Sequence, residues 1–229
     1  MMFYFDPQYM LLVLLPTMIL SGAAQFFVSR AYSHWSQIRN GNGYTGPEVA
    51  QRLMRTENLN VSLERIPGEL GDHYDPRTHT VRMSPGVSGT NSVAAMAIVA
   101  HELGHAQQHQ EDSILITARN FLLPAVQISP TLAYGMILGG LFLGLTGLAW
   151  LGVLVFGVSV LFMILTLPVE IDASRRGLAM LQESGLMTSD QDRNGARQVL
   201  TAAALTYVAA AITSVLQLLY FASLVNRRD

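Results

Sequence analysis

Asn120 to Val169 reads NFLLPAVQISPTLAYGMILGGLFLGLTGLAWLGVLVFGVSVLFMILTLPV, fifty consecutive residues without an Asp, Glu, Lys, Arg or His. As one α-helix this run would extend about 75 Å, more than twice a hydrocarbon core of roughly 30 Å. Two crossings fit its length. The glycines between Gly144 and Gly152 place the reversal, and Pro124 and Pro130 are tolerable because neighbouring membrane helices can satisfy the backbone groups they free. The chain is therefore expected to return to the side it left.

Working outward, Pro7 to Ser29 is also free of charge, and Tyr9 to Val28 is long enough to cross once. Ser21-Gly22-Ala23-Ala24 resembles a signal-peptide cleavage site, but the segment before it lacks a basic region, which favours an anchor. Gln198 to Asn226 supplies a fourth apolar stretch, whose Ala202-Ala203-Ala204 and Ala209-Ala210-Ala211 clusters permit close helix approach. Gly135 and Gly139 share GxxxG spacing, a common and weak signal. Half of the 229 residues are hydrophobic and 13% are charged, against about 25% charged in a soluble domain. The expected fold is a mainly α-helical integral membrane protein with about four transmembrane helices and a small α+β lobe. Its parts are residues 1–29, the first transmembrane helix; 30–119, the lobe; 120–169, a transmembrane hairpin; 170–197, a polar segment; and 198–229, the fourth helix and tail.

Composition narrows the chemistry. A net charge of -2 and a pI near 6.3 give no basic surface for nucleic acid. All fourteen basic residues are Arg, which removes a Schiff-base or P-loop lysine, and the absence of Cys leaves His and carboxylates as metal ligands. Within the lobe, Thr45-Gly46-Pro47-Glu48 fits a capping box opening a short helix. Val61 to Ile66 and His79 to Ser84 alternate in period two, with Pro67-Gly68 and Asp75-Pro76 as turns, and predict a small antiparallel sheet.

The apolar run Val93 to Ala100 leads into His101-Glu102-Leu103-Gly104-His105, an HExxH pattern. Residues four apart share a helix face, so two imidazoles can converge on one ion at about 2.0–2.1 Å. Glu102 then stands beside the ion as a candidate general base for peptide hydrolysis by a metal-activated water. A catalytic zinc usually takes a third protein ligand, and two candidates present themselves. His109 lies about 12 Å along the same helix from His101, out of reach unless the chain reverses. Glu170 ends the uncharged hairpin and comes back to the side holding His101, which favours it. Asp172 is a candidate to accept an imidazole N–H behind the metal, in competition with a simple solvated charge.

Several blocks together resemble a known family, the YugP-type membrane zinc metallopeptidases of bacteria, related in motif to the HtpX and CAAX-prenyl-protease membrane peptidases. They are Gly43-Tyr44-Thr45-Gly46, Asp72-His73-Tyr74-Asp75-Pro76-Arg77-Thr78, His101 to His105, Leu167-Pro168-Val169-Glu170, Asp172-Ala173-Ser174-Arg175-Arg176 and Ala202 to Ala210. The resemblance implies that the lobe is a zincin-like catalytic one, with Zn2+ on His101, His105 and Glu170 and Glu102 as base, and a bacterial cytoplasmic (inner) membrane location. By analogy with other zinc peptidases, the hairpin through Asp75-Pro76 would offer an edge strand to an extended substrate, a peptide or protein, membrane proteins included, with His73 or Tyr74 as oxyanion donors. Arg30, Arg39, Arg119, Arg175, Arg176, Arg193 and Arg197 flank one side of the membrane segments and Arg227 and Arg228 the other, which predicts a cytoplasmic lobe. The competing reading is a non-catalytic metal-binding membrane scaffold or partner-binding protein, for which an intact Glu102 has no use. A transporter fits less well, because the four apolar stretches carry no ionisable pathway residue.

Overall fold

A computed structural model describes residues 6–227. Arg228, counted above among the flanking charges, lies outside the described residues. Among the described residues, four helices are long and apolar enough to cross a membrane: α1 (Pro7–Trp35), α5 (Ile114–Leu143), α6 (Thr146–Glu183) and α7 (Asp190–Asn226). The chain is thus a mainly α-helical membrane protein with a small α+β lobe. The lobe adds α2 (Gly46–Thr56), β1 (Ser62–Arg65), β2 (His73–Asp75), β3 (Thr80–Met83), α3 (Pro85–Ser88) and α4 (Val93–Gln110). A π-helical turn at Met10–Leu14 interrupts the regular winding of α1. Pro124, Pro130 and Pro168 all lie inside continuous helices.

The chain forms two compact units. The first takes the residues through Ala24, Thr117–Pro168, and those from Thr206 on. Its core joins Ala133, Ile137 and Leu141 of α5 to Ala149, Val153 and Phe156 of α6 and Tyr220, Phe221 and Val225 of α7. Large apolar side chains such as Phe121 and Phe142 face outward, as a lipid-facing surface requires. The reversal between α5 and α6 sits at the near end of the glycine-rich interval: Gly144 adopts φ +69° and the Leu145 N–H closes the turn on the Gly140 carbonyl at 2.7 Å. Gly152 packs against the α5 backbone, where a Cβ would lie 2.8 Å from the Ile137 nitrogen. The GxxxG pair behaves differently, since a Cβ at Gly135 or Gly139 would meet nothing within 4 Å.

The second unit comprises Gln25–Ile116 with Val169–Leu205. Thr45 opens α2 as expected, its main-chain N–H and hydroxyl both donating to the Glu48 carboxylate at 2.7 Å. The sheet has strand order β1-β3-β2. β2 pairs antiparallel with β3, placing Tyr74 opposite Val81, but β1 runs parallel to β3, with Ser62 opposite Thr80. This corrects the all-antiparallel expectation. Alternation fixes which face of a strand is buried and is silent on direction. Here the connection 66–79 is long enough to bring the chain back in the same direction, and it lays β2 on the far side of β3 on the way. Arg82 laces the three strands, bonding Glu64 of β1 at 3.0 Å and Asp75 of β2 at 2.6 Å. Its guanidinium holds the Asp75 carboxyl down to about 2. Tyr74, Val81 and Met83 turn their buried sides into the same core as Val99, Leu103 and Ala106 of α4, so the sheet is a lid of apolar contacts on the HExxH helix.

Packing in the first unit predicts a contrast between two glycines. Gly152→Leu must separate α5 from α6 and should cost about 1–3 kcal/mol, read as a lowered thermal midpoint in detergent. Gly135→Leu should leave that midpoint unchanged.

Candidate metal centre

Ser92 starts α4 by accepting the Ala95 N–H on its hydroxyl at 3.1 Å. The helix then runs unbroken through Gln110, buried on almost every side around Ala94 to Leu103. Against it lies the Val169–Glu183 part of α6. A Cβ on Gly104 would stand 2.3 Å from the Ala173 carbonyl oxygen, and one on Gly177 would stand 2.7 Å from that of Ala100. The two helices therefore touch backbone to backbone, each with a glycine at the place the other approaches. Glu170, Ala173 and Gly177 follow a three-then-four spacing, so they form one stripe along α6 and face α4 together.

This crossing brings His101, His105 and Glu170 together, with one ligand atom of each within 4.8 Å of the others. The Nε2 atoms of His101 and His105 lie 3.3 and 3.4 Å from Oε2 of Glu170. That oxygen is buried and makes no hydrogen bond. A tetrahedral ion with bonds of about 2.0–2.1 Å has ligand atoms roughly 3.3–3.4 Å apart, so the contacts match edges of such a site.

The hydrogen bonds behind the ligands decide what the facing atoms are. Gln108, fully buried, donates from Nε2 to the Val169 carbonyl at 2.9 Å and to Asp172 Oδ2 at 2.7 Å. Both are acceptors only, which turns its Oε1 towards His105 Nδ1 at 3.0 Å and requires that nitrogen to carry the proton. In neutral His105 the Nε2 lone pair then points at a carboxylate lone pair. Only a cation or an added proton reconciles them, so the residues fit a divalent metal. His101 is held from behind by the Ser174 hydroxyl at 3.1 Å. Asp172 reaches His105 through Gln108 and is itself fixed by Arg176 at 2.7 Å, which also bonds Glu111.

His109 goes elsewhere. Because α4 does not reverse after His105, His109 is carried past the cluster, and its Nδ1 meets the Tyr74 hydroxyl at 2.9 Å while its ring stacks on His79. Tyr74 meets the site through its main chain: its N–H donates to Glu102 Oε2 at 2.8 Å. Glu102 is 8% exposed, and burial, opposed by the neighbouring His101 and His105, raises its pKa. His73 is exposed on β2, its Nδ1 bonded to the Gly71 carbonyl at 2.8 Å. Gln108 and Ser174 escaped the sequence reading. Their signal was present only as a polar residue three positions past His105 and a hydroxyl four past Glu170, both ordinary on a helix surface.

An imidazole pair and a buried carboxylate, held on two helices of a membrane protein, form a cluster that could hold a metal ion. The chain belongs to the family described as "Putative neutral zinc metallopeptidase", which matches residues 10–226. It is 39% identical over 212 residues to "Putative membrane protease YugP" of Bacillus subtilis (strain 168), covering 92% of this chain and 94% of that protein. No solved structure matches it.

Two outcomes follow from the geometry. Gln108→Leu should leave His105 Nδ1, the Val169 carbonyl and Asp172 short of partners and weaken zinc binding about 10- to 100-fold, measured by competition with a chromophoric chelator. Burial lowers the His105 pKa, but the Glu170 and Glu102 carboxylates outweigh it and raise the value overall. A raised imidazole pKa stabilises the metal-free protein at low pH, and that stability is lost as pH rises through the folded value. The chelated protein should therefore lose thermal stability as pH climbs above about 6.5, while the zinc-loaded protein gains it; parallel pH profiles of the two forms would contradict this.

Proposed function

We propose that this chain is a zinc-dependent membrane endopeptidase in which His101, His105 and Glu170 hold the ion and Glu102 is the general base. The observation that carries the reading is the buried, hydrogen-bond-free Oε2 of Glu170 faced by two imidazole nitrogens. Bound zinc would supply a Lewis acid that lowers the pKa of water towards 7. The chain's own residues do the rest. Tyr74 N–H fixes one oxygen of Glu102, leaving Oε1 to take a proton from the attacking water and pass it to the leaving amine. Burial raises the affinity of that carboxylate for the proton, which suits a base working near neutral pH.

β2 is an outer strand of the sheet, and its outward N–H at Tyr74 is the group that touches Glu102. A substrate peptide laid along β2 by main-chain hydrogen bonds would arrive beside the base. His73, exposed on the same strand, is the side chain we assign to the developing oxyanion or to substrate contact, while the Tyr74 N–H stays on Glu102. The surplus of Arg at one set of helix ends supports a lobe on the cytoplasmic face of a bacterial inner membrane, acting on peptides or proteins there.

Zinc content and proteolysis of the detergent-purified protein, compared with Glu102→Gln and Glu170→Ala on casein and a membrane-protein substrate, test this. Glu102→Gln should keep its zinc and lose activity by about a hundredfold or more. Glu170→Ala should retain less zinc. Full zinc with no cleavage by the unmodified chain would favour a metal-binding scaffold, and equal cleavage by all three would mean that the activity is not its own.

A further inference from the structure

A groove of about 770 Å³ lies in the second unit between the Gln25–Trp35 part of α1 and the Asp190–Leu205 part of α7. It takes no part in the metal centre. Arg30 and Arg197 line it, both exposed, and neither has an acidic partner among the described residues. Arg82, Arg176 and Arg193 of the lobe each pair with a carboxylate; what sets Arg30 and Arg197 apart from its remaining arginines is that they line one groove together. Two guanidiniums without acidic partners on one groove offer it several donors suited to a phosphate.

Their positions along the chain fix the depth. Arg30 is the first charged residue after the uncharged run Pro7–Ser29, and Arg197 is the last before the uncharged run Gln198–Asn226. Both therefore stand where apolar helix gives way to polar chain, the level of lipid headgroups. The groove is amphipathic in the same sense. Phe27 and Leu205 give it apolar walls on the sides leading into those runs. Its floor is closed by Trp35, whose Nε1 donates to Gln198 Oε1 at 3.0 Å. Gly195 admits the indole, since a Cβ there would lie 2.5 Å from the ring.

We propose that this groove binds one anionic phospholipid, its phosphate between Arg30 and Arg197 and the start of an acyl chain against Phe27 and Leu205. A soluble anion would have no use for the apolar walls, and a zwitterionic lipid would bring its own cation to two arginines. The site is thus selective for net negative headgroups, and it anchors α1 to α7 within the lobe from the lipid side.

The chain has two tryptophans, so Trp150→Phe leaves Trp35 as a reporter on the groove floor. The full-length protein in phosphatidylcholine vesicles is titrated with phosphatidylglycerol or phosphatidylcholine brominated on the acyl chains. Brominated phosphatidylglycerol should quench Trp35 at a mole fraction on the order of tenfold lower than brominated phosphatidylcholine. Arg30→Gln with Arg197→Gln should abolish the difference, and Arg65→Gln should keep it. Equal quenching by the two lipids in the protein with both arginines would overturn the proposal, as would an undiminished preference in the double variant. Relief of quenching by inorganic phosphate at matched ionic strength would reassign the groove to a free anion, and relief by polyglutamate to an acidic peptide; either would remove the lipid.

Discussion

Two imidazole nitrogens and a carboxylate oxygen face one another across 3.3 and 3.4 Å in a site from which solvent is nearly excluded. Left alone, that arrangement repels, and burial magnifies the repulsion because little dielectric screens it. The surrounding structure is the set of devices that hold it closed. Gln108 orders the tautomer of one imidazole, Ser174 braces the other, and Arg176 with Asp172 fixes Gln108 in turn. Each such bond is worth about 0.5–1.5 kcal/mol, rising to roughly 1.5–3 where a charge takes part, which is enough in sum to hold ligands in place before an ion arrives.

Glu102 belongs to a different layer of that organisation. It lies on the ligand helix but takes its hydrogen bond from β2, so its placement depends on the sheet. The sheet depends on Arg82 for its lateral ties and on Leu103 and Ala106 for its apolar seat. The proposed ligands and the proposed base are thus placed by separate neighbours, one from α6 and one from the lobe. Disturbing the hairpin should move Glu102 while leaving His101, His105 and Glu170 where they are.

Much of this was legible in the chain itself. Uncharged runs gave the four long helices because a bilayer tolerates little else, and the HExxH spacing put two imidazoles on one face because a helix repeats every 3.6 residues. Glu170 stood out as the first charge after fifty uncharged residues. The parallel pairing of β1 with β3 was hidden, since strand direction depends on where a long connection leads and not on alternation. Gln108 was hidden for a similar reason. Its partners at Val169 and Asp172 are more than sixty positions away, and nothing local marks a glutamine as buried. Gly135 and Gly139 show the converse, a motif at the right spacing with no helix against it.

The paired contacts of Gly104 with Ala173 and of Gly177 with Ala100 reach further than packing. A ligand can be exchanged for another with similar donor chemistry, and a loop can lengthen, without parting the two helices. Neither glycine can acquire even a methyl group without meeting a carbonyl of the other helix. Among diverged sequences built on this plan, the stable signature would then be a spacing: a glycine inside the HExxH and, far downstream, a carboxylate followed two helical turns later by a second glycine. Such a pattern would trace the lineage after the strands, the loops and the membrane spans had drifted beyond recognition.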